Sequence, residues 1–182
     1  MSYRTAALCL AGAAASGCLL PRRVALNYSP SKNVERRARQ TALQVTPFLD
    51  KRRDASGFGR APWALKLGSS PLKPSGDPAA WVTRAAGAEL AAAGFETPPS
   101  ADWKAGGALQ ETACSSGKRT ICSVRLEAWL VGKDGKQALR QDYKGEGLRP
   151  PLFGEDPYEL SLEEALREAL AGFRKDVERL LP

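Results

Sequence analysis

The 182-residue chain carries 27 Lys and Arg against 20 Asp and Glu, a formal charge of +7, with 43% hydrophobic and 26% charged residues. Those proportions suit one globular domain with a real core and argue against wholesale disorder. Histidine is absent, which excludes Ser-His-Asp and Cys-His catalysis, His-ligated zinc and an imidazole pH switch together.

Residues 1–5 hold one positive charge, Arg4, and an apolar run over residues 6–15 leads to Ser16-Gly17-Cys18. A charged start, a short apolar run and small residues at a cut describe an export signal. The run is too short to span a bilayer, which takes about 20 apolar residues. Small residues ahead of a cysteine resemble the lipobox of bacterial lipoprotein signal peptides. That resemblance implies a signal peptide over residues 1–17, cleavage between Gly17 and Cys18, and a lipidated, palmitate-type acylated Cys18 as the new amino terminus. Ala15 stands where leucine is more usual, so ordinary cleavage and plain secretion stay open. Leu19 is not the aspartate that holds enterobacterial lipoproteins at the inner membrane. The outer membrane, facing the periplasm, is therefore implied over the inner one.

Residues 18–40 read as an anchored segment with a short strand at 24–28, and residues 41–182 as a single α+β domain. The basic excess is concentrated early: residues 18–80 hold 12 Lys/Arg against 4 Asp/Glu, residues 81–182 hold 14 against 16. A basic half of this kind is either a solvated surface or a face for anionic head groups or a polyanion. No aromatic-interleaved basic motif points to nucleic acid. Residues 42–48 alternate as a second strand, and 63–67 as a further edge strand. Residues 69–76 read as a breaker-rich linker. Asp77-Pro78 opens a helix with a cap and a first-turn proline, closed at Gly94 with Phe95 beyond. Its stripes are Trp81, Ala85, Ala88, Ala92 and Val82, Ala86, Leu90, Ala93. Strands follow at 108–113 and 122–131, then a turn at Gly132-Lys133-Asp134-Gly135 and a return strand at 136–143. After a loop over 145–158, residues 161–181 form a helix with Ser161 and Glu164 as a capping box. Leu162, Leu166, Leu170, Phe173, Val177 and Leu181 are its buried stripe. This order predicts a two-layer α+β sandwich: a mostly antiparallel sheet with both helices on one face.

Cys9 leaves with the signal and Cys18 takes lipid, so Cys114 and Cys122 remain, flanking a turn-rich connection between two strands. In an oxidising compartment they are expected to form a structural disulfide. Asp50, Arg52 and Asp54 are the one tempting acidic constellation, a possible binding loop. Too few oxygens are present for calcium, and salt-bridged loop residues are the plainer reading. No catalytic residue, metal site or cofactor is expected. Trp81 and Trp129 read as core; Trp63 and Trp103 lie in loops, either packed or exposed for contact.

Val-Ala-Leu-Asn-Tyr-Ser-Pro after the lipobox, then Val45-x-Pro47-Phe48-x-Asp50-x-Arg52 and Gly59, resemble the YajG-like family of bacterial outer-membrane lipoproteins. So do Trp81-Val82, Glu89-Leu90-x-x-x-Gly94-Phe95 and Glu164-Ala165-Leu166. The cysteine pair and the doubled Arg52-Arg53 depart from that pattern. The resemblance implies location and fold rather than chemistry. The expected function is a non-enzymatic binding or accessory module of the envelope, held to the membrane at Cys18 and meeting another envelope protein. The alternative is an accessory lipoprotein of a lipid or polysaccharide transport system, binding an anionic ligand through its basic amino-terminal half.

Overall fold

The computed structural model describes residues 20–32, 34, 41–62, 68–150 and 156–181. Two sheets and two helices share one core. The first sheet has three short strands, β1 (Arg22–Val24), β4 (Arg60–Pro62) and β5 (Ser69–Pro74), in the order β1-β5-β4. The second is built on three long antiparallel strands, β6 (Trp103–Ser116), β7 (Thr120–Val131) and β8 (Gln137–Arg149). Two short strands, β2 (Leu43–Val45) and β3 (Leu49–Asp50), run parallel to β6 along its free edge. Helices α1 (Pro78–Ala92) and α2 (Pro157–Leu180) lie on one face of this sheet. The architecture is the expected α+β sandwich.

Alternation sets which face is covered. Val124, Leu126, Ala128 and Leu130 of β7 are all fully buried, whereas Arg125, Glu127 and Trp129 between them point the other way. All six residues of the α2 stripe are buried, each contributing about 1.5–3 kcal/mol on leaving water. β8 admits α2 closely through Gly145 and Gly147. A Cβ at either position would collide with the carbonyl oxygens of Ala165 and Ser161.

Several local expectations are corrected. The first strand lies at Arg22–Val24 rather than 24–28, because the amides of Ala25 and Ser29 bond to helix carboxylates instead of a neighbouring strand. The segment is not set apart from the domain either: Val24 is fully buried in the common core. The strand at 42–48 is split by Pro47, which has no N–H to donate. The presumed linker 69–76 is largely β5. Its prolines are tolerated because β4 pairs only with 69–71 and β1 only with 72–74, so each half of β5 is an edge. β8 runs on to Arg149 where a loop was expected at Gly145, since those glycines serve helix packing. α2 starts at Asp156-Pro157, not Ser161: Asp156 Oδ1 accepts the Tyr158 amide at 2.9 Å, repeating Asp77-Pro78 at α1. Ser161 is instead buried, its hydroxyl on the Thr120 carbonyl. Trp129 is half-buried on the sheet face opposite the helices, outside the core. The strand expected at 63–67 lies outside the described residues.

Candidate functional site

Gly17 and Cys18 lie outside the described residues, three and two positions ahead of Leu20 in the sequence. The chain that follows them is fastened to both helices. Arg22 donates to Asp156 Oδ2 at 2.8 Å, the Ala25 amide to Glu159 Oε1 at 2.9 Å and the Ser29 amide to Glu163 Oε1 at 2.9 Å. Positions 156, 159 and 163 fall on one face of α2, spaced by three and four residues. This is why an extended segment without a strand partner still finds acceptors for its amides. The Trp81 indole N–H closes the strap from α1, donating to the Asn27 carbonyl at 2.9 Å.

Beneath the strap sits Glu89, only 1% exposed. Its Oε2 accepts the Tyr28 hydroxyl at 2.8 Å and the Ser31 amide at 3.1 Å. Its Oε1 lies 3.4 Å from Arg174 Nε of α2. A buried carboxylate survives only with such partners. Burial, then the hydrogen bond to Glu89 and its charge, push the Tyr28 hydroxyl well above its usual 10.0. It is therefore a permanent donor, not an acid. The sequence marks Glu89 only within the family resemblance and not as a site residue, although it falls four residues after Ala85 and three after Ala86. A carboxylate on an apolar stripe was the available signal.

The loop candidates Asp50, Arg52 and Asp54 are occupied with one another and with the backbone. Arg52 Nε and Nη2 grip Asp50 at 2.9 and 2.8 Å. Its remaining N–H groups go to Thr112 Oγ1 at 2.9 Å and to the carbonyls of Gly57 and Ala55 at 3.2 and 3.3 Å. The guanidinium also lies over the Phe58 ring, 5.3 Å from its centroid. All five donors of the fork are thus used, and the side chain is buried. The Arg52 hydrogen bond holds the Asp50 carboxyl below its usual 3.8. Asp54 stands apart, exposed, with the Ser56 amide and hydroxyl on its Oδ1. This is a structural knot closing the loop. It borders a cleft of about 480 Å³ beside the β6 bulge, where Arg53, Glu111 and Arg125 reach solvent.

Cys114 and Cys122 sit directly opposite each other on β6 and β7 and form a disulfide. On the open face of the long sheet, Leu49 is 58% exposed. With Ala108, Trp129 and Val131 it lines a hollow of about 230 Å³, rimmed by Lys51 and Arg140. Trp103, half-buried at the start of β6, packs against the core. Among the described residues no group of three or more Cys, Asp or Glu is placed to hold a metal ion. No described helix is long and apolar enough to cross a membrane.

No protein-family model matches this chain, and no curated protein matches it. Among solved structures, protein XCC0632 from Xanthomonas campestris, of family DUF330, has the same fold. The TM-score is 0.55 at 11% identity, covering 89% of this chain and 99% of that one. A looser likeness is to lipoprotein GNA1162 from Neisseria meningitidis, with a TM-score of 0.41 at 13% identity over 77% of this chain and 96% of that one. What the first likeness shows is the shared fold.

Proposed function

We propose that this chain is a lipoprotein of the bacterial envelope, anchored through Cys18 to the periplasmic side of the outer membrane, that acts without catalysis by holding another envelope protein. The observation that carries this reading is the Ser16-Gly17-Cys18 lipobox placed just ahead of a strap tied to both helices. The anchor and the folded body are then one mechanical unit. Kinship with YajG-like lipoproteins belongs to the same proposal. The exhausted donors of Arg52 and the engaged carboxylates of Asp50 and Glu89 favour a scaffold over an enzyme. The hollow around Leu49 offers an apolar contact on the face that the helices leave open.

The test is a photo-crosslinking residue at Leu49 in the full, exported chain, with Lys133 as the control position. A discrete adduct with one envelope protein from Leu49 alone, lost when Cys18→Ser releases the body from the membrane, is the expected result. No reproducible adduct from any exposed position on the open face would contradict the reading. A second reading, an anionic ligand met by the basic amino-terminal half, is favoured by the unopposed cations of the three-stranded sheet.

A further inference from the structure

The three-stranded sheet contains Arg22, Arg23, Arg60 and Lys73 and no carboxylate. Val24, Ala61 and Leu72 point inward and are buried. By alternation, Arg23, Lys73 and Arg60 point outward, and all three are exposed. Arg23 stands directly opposite Lys73 in the β1-β5 register, and Arg60 opposite Pro71 on the other side of β5. Among the described residues only Arg22 of these four, which shares a strand face with Val24 but is itself exposed, has an acidic partner, Asp156. Arg60 bonds to neutral Ser69. Like charges directly opposite on neighbouring strands repel each other, so this face is built with an uncompensated cost that an anionic surface would remove.

The tether is short. Cys18 precedes Leu20 by two residues and Arg23 by five. At about 3.3–3.6 Å per residue, a lipidated Cys18 keeps Arg23 within about 18 Å of the anchor. Lys73 and Arg60 lie roughly one and two strand spacings of about 4.8 Å beyond it. Leu20, between them and the anchor, is 72% exposed.

We infer that the outward face of the three-stranded sheet lies flat against the membrane, with Arg23, Arg60 and Lys73 on anionic lipid headgroups. This rests on the Cys18 anchor proposed above and adds the orientation of the body. The hairpin turn at 132–136 is then remote: Gly59 next to β4 bridges Cys114, whereas the turn adjoins Lys104, ten residues along β6 or about 33 Å away.

The experiment uses the full, lipidated protein and an amine-reactive reagent, with modification at each lysine read by mass spectrometry. Lys73 is expected to be protected in phosphatidylethanolamine–phosphatidylglycerol vesicles relative to detergent micelles, while Lys133 and Lys136 react equally in both. Protection should fade in neutral phosphatidylcholine vesicles and at high salt. The pair Arg23→Gln and Arg60→Gln should restore Lys73 reactivity, at about fivefold weaker apposition per cation removed. Equal Lys73 reactivity in vesicles and micelles, with the lipid present on the amino-terminal peptide, would overturn the orientation and leave the anchor standing. Protection that persists in neutral vesicles would overturn the headgroup pairing. An amino-terminal peptide without lipid, on protein that fails to sediment with vesicles, would overturn both.

Discussion

The Tyr28 hydroxyl donates to Glu89 at 2.8 Å across 61 residues of sequence, joining the strap to a carboxylate buried in α1. The bond locks the exit of the anchor to the helical layer. Tyr28→Phe removes one charge-assisted hydrogen bond and should cost about 1.5–2 kcal/mol. Glu89→Ala also strips the Ser31 amide of its acceptor and leaves the buried Arg174 Nε without its ion-pair partner, and should cost about 3 kcal/mol or more. Denaturant midpoints of the three proteins check the order. Equal stability of wild type and Glu89→Ala would show that the strap is held elsewhere.

The same tyrosine predicts alkaline behaviour. Tyr28 and Tyr143 are both raised well above 10.0, by burial first and then by hydrogen bonds to Glu89 and Asp176. The unfolded chain therefore gives up those protons first as pH rises. Stability is fully present below about pH 10 and falls above it. Ultraviolet titration should find both phenols silent until the protein unfolds, and Tyr28→Phe should flatten part of the alkaline loss.

Arg52 predicts an acid limb. Asp50 is held below its usual 3.8, so its contribution is complete above that value and is lost as pH falls through the depressed one. Arg52→Ala removes the guanidinium donors from Asp50, Thr112 and two carbonyls, leaving Asp50 only the residue-52 amide, and should cost about 2–4 kcal/mol. Arg52→Lys should not restore it, because an ammonium cannot supply a planar five-donor fork. Thermal midpoints measured from pH 7 downward should converge for wild type and Asp50→Asn at the acid end.

Two glycines predict opposite signs. Gly147→Ala drives a methyl into the Ser161 carbonyl of α2 and should cost about 3 kcal/mol through displacement of the helix. Gly87→Ala, inside α1 with open space around it, should stabilise by about 0.5–1 kcal/mol. Denaturant titration of both variants separates packing from propensity.

The elements with strong local signals could be read from the sequence: both helices with their apolar stripes, the Gly132–Gly135 turn and the β7 face. Each is set by periodicity or turn chemistry within a few residues. The misread segments answer to distant partners. Gly145 and Gly147 look like strand breakers until a helix is seen lying on them. Pro71 and Pro74 look like a linker until the two neighbours of β5 are seen to divide it between them. Glu89 and Arg52 show the same limit at the candidate site. Their roles depend on Tyr28, Arg174 and Thr112, none of which lies near them in sequence. The unopposed charge on Arg23, Arg60 and Lys73 was visible only as a basic excess, since its face is defined by strand register.

The most direct measurement is the mass of the mature amino-terminal peptide, taken from protein isolated from the membranes of the cells that make it. The account predicts a peptide that begins at Cys18 and carries a diacylglyceryl group on its sulfur. A peptide beginning at any other residue, or Cys18 with an unmodified thiol, would contradict it.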